Sequence, residues 1–174
     1  GSEPYRVRRT LEYGKAGADD LVGRIRIVNR GPAPAPIHVL PTLWFRNTWA
    51  WGLDARKPRL AVKEHEGREI VSVRHSYYSR RQLRFEGAPE LLFTENETNT
   101  ERLFGAPNRT PYVKDGIDRF LVHGETGAVN PERTGTKVVA RHAITIGAGG
   151  SRTIRLRLTD APDAARDGVG ADFD

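Results

Sequence analysis

Thr153-Ile154-Arg155-Leu156-Arg157-Leu158 sets an aliphatic side chain at every second position, with threonine or arginine between them. Successive side chains of an extended strand point to opposite faces, so this period makes one apolar and one polar face and does not fit a helix. Arg24-Ile25-Arg26-Ile27 and Gln82-Leu83-Arg84-Phe85 repeat the alternation. Each reads as a half-buried strand whose arginines lie on a solvated sheet face.

Less regular runs rich in β-branched and aromatic residues lie at 5–11, 37–45, 70–74, 91–94, 120–123 and 138–146, which brings the expectation to about nine strands. Turn clusters separate them: Lys15-Ala16-Gly17-Ala18-Asp19-Asp20, Asn29-Arg30-Gly31-Pro32 and Gly147-Ala148-Gly149-Gly150-Ser151. In such clusters glycine supplies positive φ, and proline or asparagine stops the ladder; the last reads as a hairpin turn. No window offers three turns of amphipathic helix with a capping signal, although residues 162–166 fit one short turn. The expected architecture is an all-β, antiparallel β-sandwich.

Composition narrows the chemistry. A chain of 174 residues can bury a core as one domain, and with no cysteine it is held by packing and hydrogen bonds rather than by disulfides or thiolate-bound metal. No apolar run is long enough to span a bilayer as a helix, and the start lacks a signal-peptide pattern, so no membrane is expected. The net charge of +6 comes largely from arginines spread along strands. A nucleic-acid surface clusters its basic residues with stacking aromatics, so nucleic acid is the least favoured partner. Gly1-Ser2 reads as a cloning scar, residues 3–159 as the sandwich, and the Ala-, Asp- and Gly-rich residues 160–174 as a linker toward a further domain.

Two stretches break the strand pattern. Trp44-Phe45-Arg46-Asn47-Thr48-Trp49-Ala50-Trp51-Gly52 gathers all three tryptophans of the chain. It fits a sugar platform, because a pyranose C–H face stacks on an aromatic ring while Arg46 and Asn47 reach hydroxyls; it fits a domain interface or core plug better. Residues 95–116 form a long segment without periodicity, of the kind that is often functional. Within it Glu95 and Glu97 share a side if extended, as a glycosidase carboxylate pair might suggest. An acid and a base normally flank the substrate from different elements, so these two are expected instead to bond their own loop, together with Asn96 and Asn99.

Other motifs carry little. Asn96-Glu97-Thr98 and Asn108-Arg109-Thr110 match the glycosylation acceptor pattern, which arises by chance in Asn- and Thr-rich loops. The histidines show no HxH or HExxH spacing, and His65 between Glu64 and Glu66 is a weak metal hint set against an ordinary surface histidine. Gly135-Thr136-Lys137 lacks the upstream glycine of a phosphate loop, and no serine sits in a nucleophile elbow. No cofactor and no metal are expected.

The string from His38 to Gly52, His38-Val39-Leu40-Pro41-Thr42-Leu43-Trp44-Phe45-Arg46-Asn47-Thr48-Trp49-Ala50-Trp51-Gly52, resembles a segment of bacterial glucosidase-like proteins of glycoside hydrolase family 63, related to mannosyl-oligosaccharide glucosidase. Leu92-Phe93-Thr94-Glu95-Asn96-Glu97-Thr98-Asn99, Pro111-Tyr112-Val113-Lys114-Asp115, and Ala128-Val129-Asn130-Pro131 with Gly135-Thr136-Lys137 resemble the same proteins in the same order. The resemblance spans roughly residues 19–158 and implies a galactose-mutarotase-like β super-sandwich followed by an (α/α)6 barrel. The family's inverting acid and base lie in that barrel, so no catalytic residue carries over to this chain.

The resemblance thus implies a non-catalytic fragment of a cytoplasmic bacterial hydrolase, with an incomplete strand set that leaves edges or apolar faces open. Its expected partner is the helical catalytic domain of the same parent chain. The residues expected to touch that domain, or an oligosaccharide, are Trp44, Arg46, Asn47, Trp49, Trp51, Glu95, Asn96, Asn99, Tyr112, Lys114 and Asp115. The alternative reading is a stand-alone carbohydrate-binding module.

Overall fold

A computed structural model describes residues 7–52, 56–160 and 169. The expected cloning scar, the expected short turn at 162–166 and all of the expected linker except Asp160 and Val169 lie outside the described residues. The strands are β1 (Val7–Gly17), β2 (Asp20–Asn29), β3 (Ala35–Val39), β4 (Thr42–Trp44), β5 (Arg59–His65), β6 (Arg68–His75), β7 (Ser79–Phe85), β8 (Glu90–Thr94), β9 (Thr134–Gly135), β10 (Lys137–Ile146) and β11 (Ser151–Thr159). Two short helices, α1 (Thr100–Phe104) and α2 (Gly116–His123), stand between β8 and β9.

The strands build two antiparallel sheets, as the alternation predicts. One has seven strands in the order β1-β2-β11-β7-β6-β5-β9. The other is centred on β10, with β8 along one edge and β3 and β4 along the other. β3 and β4 follow β10 in a single register, from Ala35 opposite Ile146 to Trp44 opposite Lys137. The expected 37–45 run is therefore one strand interrupted at Leu40-Pro41, where Pro41 has no N–H to offer but its carbonyl still accepts from Ala140 N at 3.0 Å.

Period-two alternation makes the core. Leu60, Val71, Val73, Leu83 and Phe85 of the wide sheet meet Leu91, Phe93, Val138 and Ala140 of the narrow one. Toward β2, Ile25, Ile27 and Ile154 meet Val39 and Ile146. The intervening β10 residue Val139 and Leu92 of β8 face the other way, where they bury Ile117 and pack Phe120 and Leu121 of α2. The molecule is thus a sandwich with a helix laid over the back of its narrower sheet.

Four expectations need correction. Residues 120–123 are helical, because Ile117, Phe120 and Leu121 recur at i, i+3 and i+4 and Gly124 closes the helix in the left-handed conformation at φ 69°. β1 runs on to Gly17, so the first turn cluster shrinks to Ala18-Asp19, with a bulge between Lys15 and Gly17. β5 and β9 were absent from the sequence reading. Arg157 is not on a solvated face: it is buried, and its Nε and Nη2 donate to Asp20 Oδ1 and Oδ2 at 2.8 and 2.6 Å.

Candidate functional site

β8 ends at Thr94, and the chain continues as an extended loop instead of turning back. Thr94 O accepts from Thr136 N at 3.1 Å, Glu95 N donates to Tyr112 O at 2.8 Å, and Lys114 N donates to Glu97 O at 3.0 Å. Residues 95–97 are therefore sewn between the start of β10 and the 111–115 segment. Two glycines permit this closeness. A Cβ at Gly135 would overlap Thr94 O, and one at Gly116 would overlap Ala128 O.

The tryptophan loop joins the same assembly. Asn47 Nδ2 donates to Asn96 O at 3.0 Å, and Asn96 Nδ2 returns a bond to Phe45 O at 2.9 Å. Asn47 Oδ1 accepts from Ala50 N, which shapes the turn that follows. Trp49 Nε1 donates to Glu97 Oε1 at 2.8 Å, and Lys57 Nζ lies 3.1 Å from both Glu97 Oε1 and Glu95 Oε2. Thr136 Oγ1 donates to Glu95 Oε2 at 2.6 Å.

Both glutamates thus face one cation from the same side, and their charge is met by protein donors. An acid and base that flank a bond are a different arrangement. Glu97 is only 7% exposed, so its indole and ammonium partners satisfy a carboxylate that would otherwise be costly to bury.

Farther along, Asn99 caps α1 by accepting from Arg102 N at 3.0 Å, while its Nδ2 donates to Asp115 Oδ2 at 3.1 Å. Asn108 Nδ2 donates to Asn99 Oδ1 at 2.9 Å. The amide nitrogens of both acceptor-pattern asparagines, Asn96 and Asn108, are therefore engaged in internal bonds. Lys114 Nζ reaches Thr98 Oγ1 at 3.3 Å and its carbonyl accepts from Lys137 Nζ at 2.9 Å. Burial, with the like charge of Lys114 beside it, lowers the pKa of Lys137 from the usual lysine value.

The eleven sequence-predicted residues divide by role. Asn47, Trp49, Glu95, Asn96, Asn99, Asp115 and the backbones of Tyr112 and Lys114 hold the three segments together. Trp44, Arg46, Trp51 and Lys114 are exposed, Trp51 to 70%. Within the tryptophan loop, Phe45 packs its ring against those of His75 and Tyr78 at centroid distances of 4.6 and 6.5 Å, and Tyr77 is also exposed. Leu103 and Phe104 of α1 are exposed as well.

Sequence reasoning missed Lys57, Thr136 and the two close-approach glycines. Lys57 carries no local signal, since its partners lie about forty residues away; Gly135 stands within a quoted motif and Gly116 at the end of the 95–116 segment, neither with a local sign of its role. Among the described residues no group of three or more His, Cys, Asp or Glu is placed to hold a metal ion, and His65 Nε2 lies 3.9 Å from Glu66 Oε2. Among the described residues no helix is long and apolar enough to cross a membrane.

The fold and this surface define an antiparallel sandwich whose loops are locked internally and tipped with aromatic side chains. No protein-family model matches the chain. Among curated proteins it is similar to the uncharacterized protein YMR196W of Saccharomyces cerevisiae, 32% identical over 188 aligned positions. That alignment takes in 93% of this chain and 17% of the yeast protein, so the chain spans a small part of the length of the relative it matches.

Proposed function

We propose that this chain is the non-catalytic β-sandwich domain of a glucosidase-like glycoside hydrolase, docking through residues 44–52 and 95–115 onto a helical (α/α)6 catalytic domain. One observation carries the reading: the buried polar groups of both loops bond one another, while Trp44, Trp51, Leu103 and Phe104 stay exposed on that rigid base. Rigid, aromatic-rich patches cut the ordering cost of association. The reading is supported by the resemblance of four ordered sequence blocks to that family, and the far greater length of the yeast relative leaves room for a partner domain.

In this reading the chain hydrolyses nothing by itself. The test is a panel of α-glucosides offered to the purified chain. Turnover no faster than a boiled control is expected, and turnover above it overturns the proposal.

The exposed Trp44 and Trp51 favour one second reading, a stand-alone carbohydrate-binding module. Titration with oligosaccharides separates the two: saturable change in tryptophan fluorescence supports the module, and a flat response supports docking. Nucleic acid fits poorly, because many strand arginines already face carboxylates, among them Arg24 with Glu12, Arg141 with Glu90 and Arg155 with Glu86.

A further inference from the structure

The two sheets differ in width, and the mismatch leaves a specific surface open. β10 has one neighbour on each side, so the narrow sheet is three strands wide, while the wide sheet has seven. The β3–β4 edge ends above β2 and β11, and the core-side face of β1 projects beyond it. The register puts Arg9 opposite Ile27, Leu11 opposite Ile25 and Tyr13 opposite Gly23, so these three share the face that elsewhere makes the core. Yet Leu11 and Leu21 are each 45% exposed and Tyr13 is 74% exposed. Between them and Val39 to Leu43 runs a groove of roughly 430 Å³, floored by Leu83, Phe85, Leu156 and Leu158.

We infer that this groove is filled by an apolar segment of a longer polypeptide that contains this chain, laid over the inner face of β1. The inference extends the docking reading above and shares its premise that more chain exists, but it concerns a different face. Three observations select this occupant. The apolar side chains continue the sandwich core without a break, as an interior surface does. Pro36, whose place in the register faces away from β10, removes a donor from the free edge of β3, so the occupant enters by its side chains and does not extend a backbone ladder there. The matched yeast protein is long enough to provide such a segment, since the aligned part is 17% of it. The occupant carries aliphatic or aromatic side chains and one acidic residue, because Arg9 stands among the groove-lining residues with no carboxylate partner among those described.

The test compares this chain with the product of the full reading frame that encodes it. Leu11→Asp is expected to lower the melting midpoint of the longer protein by roughly 3 °C or more and to leave that of this chain unchanged within about 1 °C. Should the substituted longer protein fail to fold, unsubstituted material gives a second readout: anilinonaphthalene sulfonate binds this chain and binds the longer protein at least severalfold less. Equal dye binding by both, or a longer protein indifferent to Leu11→Asp, overturns the inference. So does a dimer of this chain that Leu11→Asp dissociates, which assigns the groove to a second copy, and so does a reading frame that adds no further residues. Shielding of Trp51 in the same longer protein is measured separately, so failure at the groove and failure of the docking loops are told apart.

Discussion

Arg157 and Asp20 join β11 to β2 through two parallel hydrogen bonds, and their side chains are only 4% and 3% exposed. Both charges are out of water at the place where the wide sheet turns from its first hairpin into its middle. Removing one partner takes both of these bonds from a charge that stays buried. Asp20→Asn or Arg157→Leu is therefore expected to cost roughly 3–5 kcal/mol, whereas replacing both by leucine costs much less. Urea unfolding of the three variants checks this. Single variants within about 1 kcal/mol of the parent would show that the pair is not the buried anchor described.

Close backbone approach gives the second prediction. Gly135→Ala drives a methyl group into Thr94 O, and neither backbone can yield without breaking the Thr136 to Thr94 bond. A loss of about 1–3 kcal/mol is expected by thermal unfolding. Gly127→Ala is the control, since a Cβ there meets open space; equal losses at the two positions would contradict the account.

Much of the sandwich could be read from the chain, and the reason is physical. At Ile25, Ile27, Leu83, Ile154 and Leu156 alternation is local information, because a strand with one dry face must repeat every two residues. The helix α2 was misread because residues 120–123 look β-rich by composition, and only their spacing from Ile117 reveals the helical stripe. β5 was passed over because its alternation fades into Lys63 and Glu64, leaving Leu60 and Val62 as its signal. The burial of Arg157 could not be foreseen at all: nothing local distinguishes it from Arg155, and its partner Asp20 lies at the far end of the chain. The candidate loops were found by their lack of period. Asn99 bonds the backbone of its own loop as expected, whereas the carboxylates of Glu95 and Glu97, expected to do the same, bond Trp49, Lys57 and Thr136 from outside it, partners that only three-dimensional contact supplies.

The tryptophans of one loop have opposite duties. Trp49→Phe removes the indole donor from buried Glu97 and is expected to destabilise the chain by roughly 1–3 kcal/mol. Trp51→Phe, at a side chain 70% exposed, stays within about 0.5 kcal/mol. Chemical denaturation of both decides the matter, and a reversed order would contradict the assignment of Trp49 to structure and Trp51 to surface.

Acidification acts in two stages. Burial holds the pKa of His142 below the usual 6.5, so the unfolded chain binds a proton more readily than the folded one. Stability therefore declines as pH falls from above 6.5 toward the lower folded value, and His142→Gln flattens this part of the profile. Glu69 is held below its usual 4.5 by its hydrogen bond to Arg133, so its contribution is present above 4.5 and is lost as pH falls through the folded value. Melting midpoints measured across acid pH, with and without Glu69→Gln, test the second stage. A profile unchanged by either substitution would contradict the assignment.

The docking claim is tested most directly by acrylamide quenching of single-tryptophan variants, retaining Trp44 or Trp51, in this chain and in the full reading-frame product. Both side chains are exposed here, so ready quenching is expected in the chain alone and strong shielding in the longer protein. Equal quenching of both tryptophans in the two proteins would contradict docking through this surface.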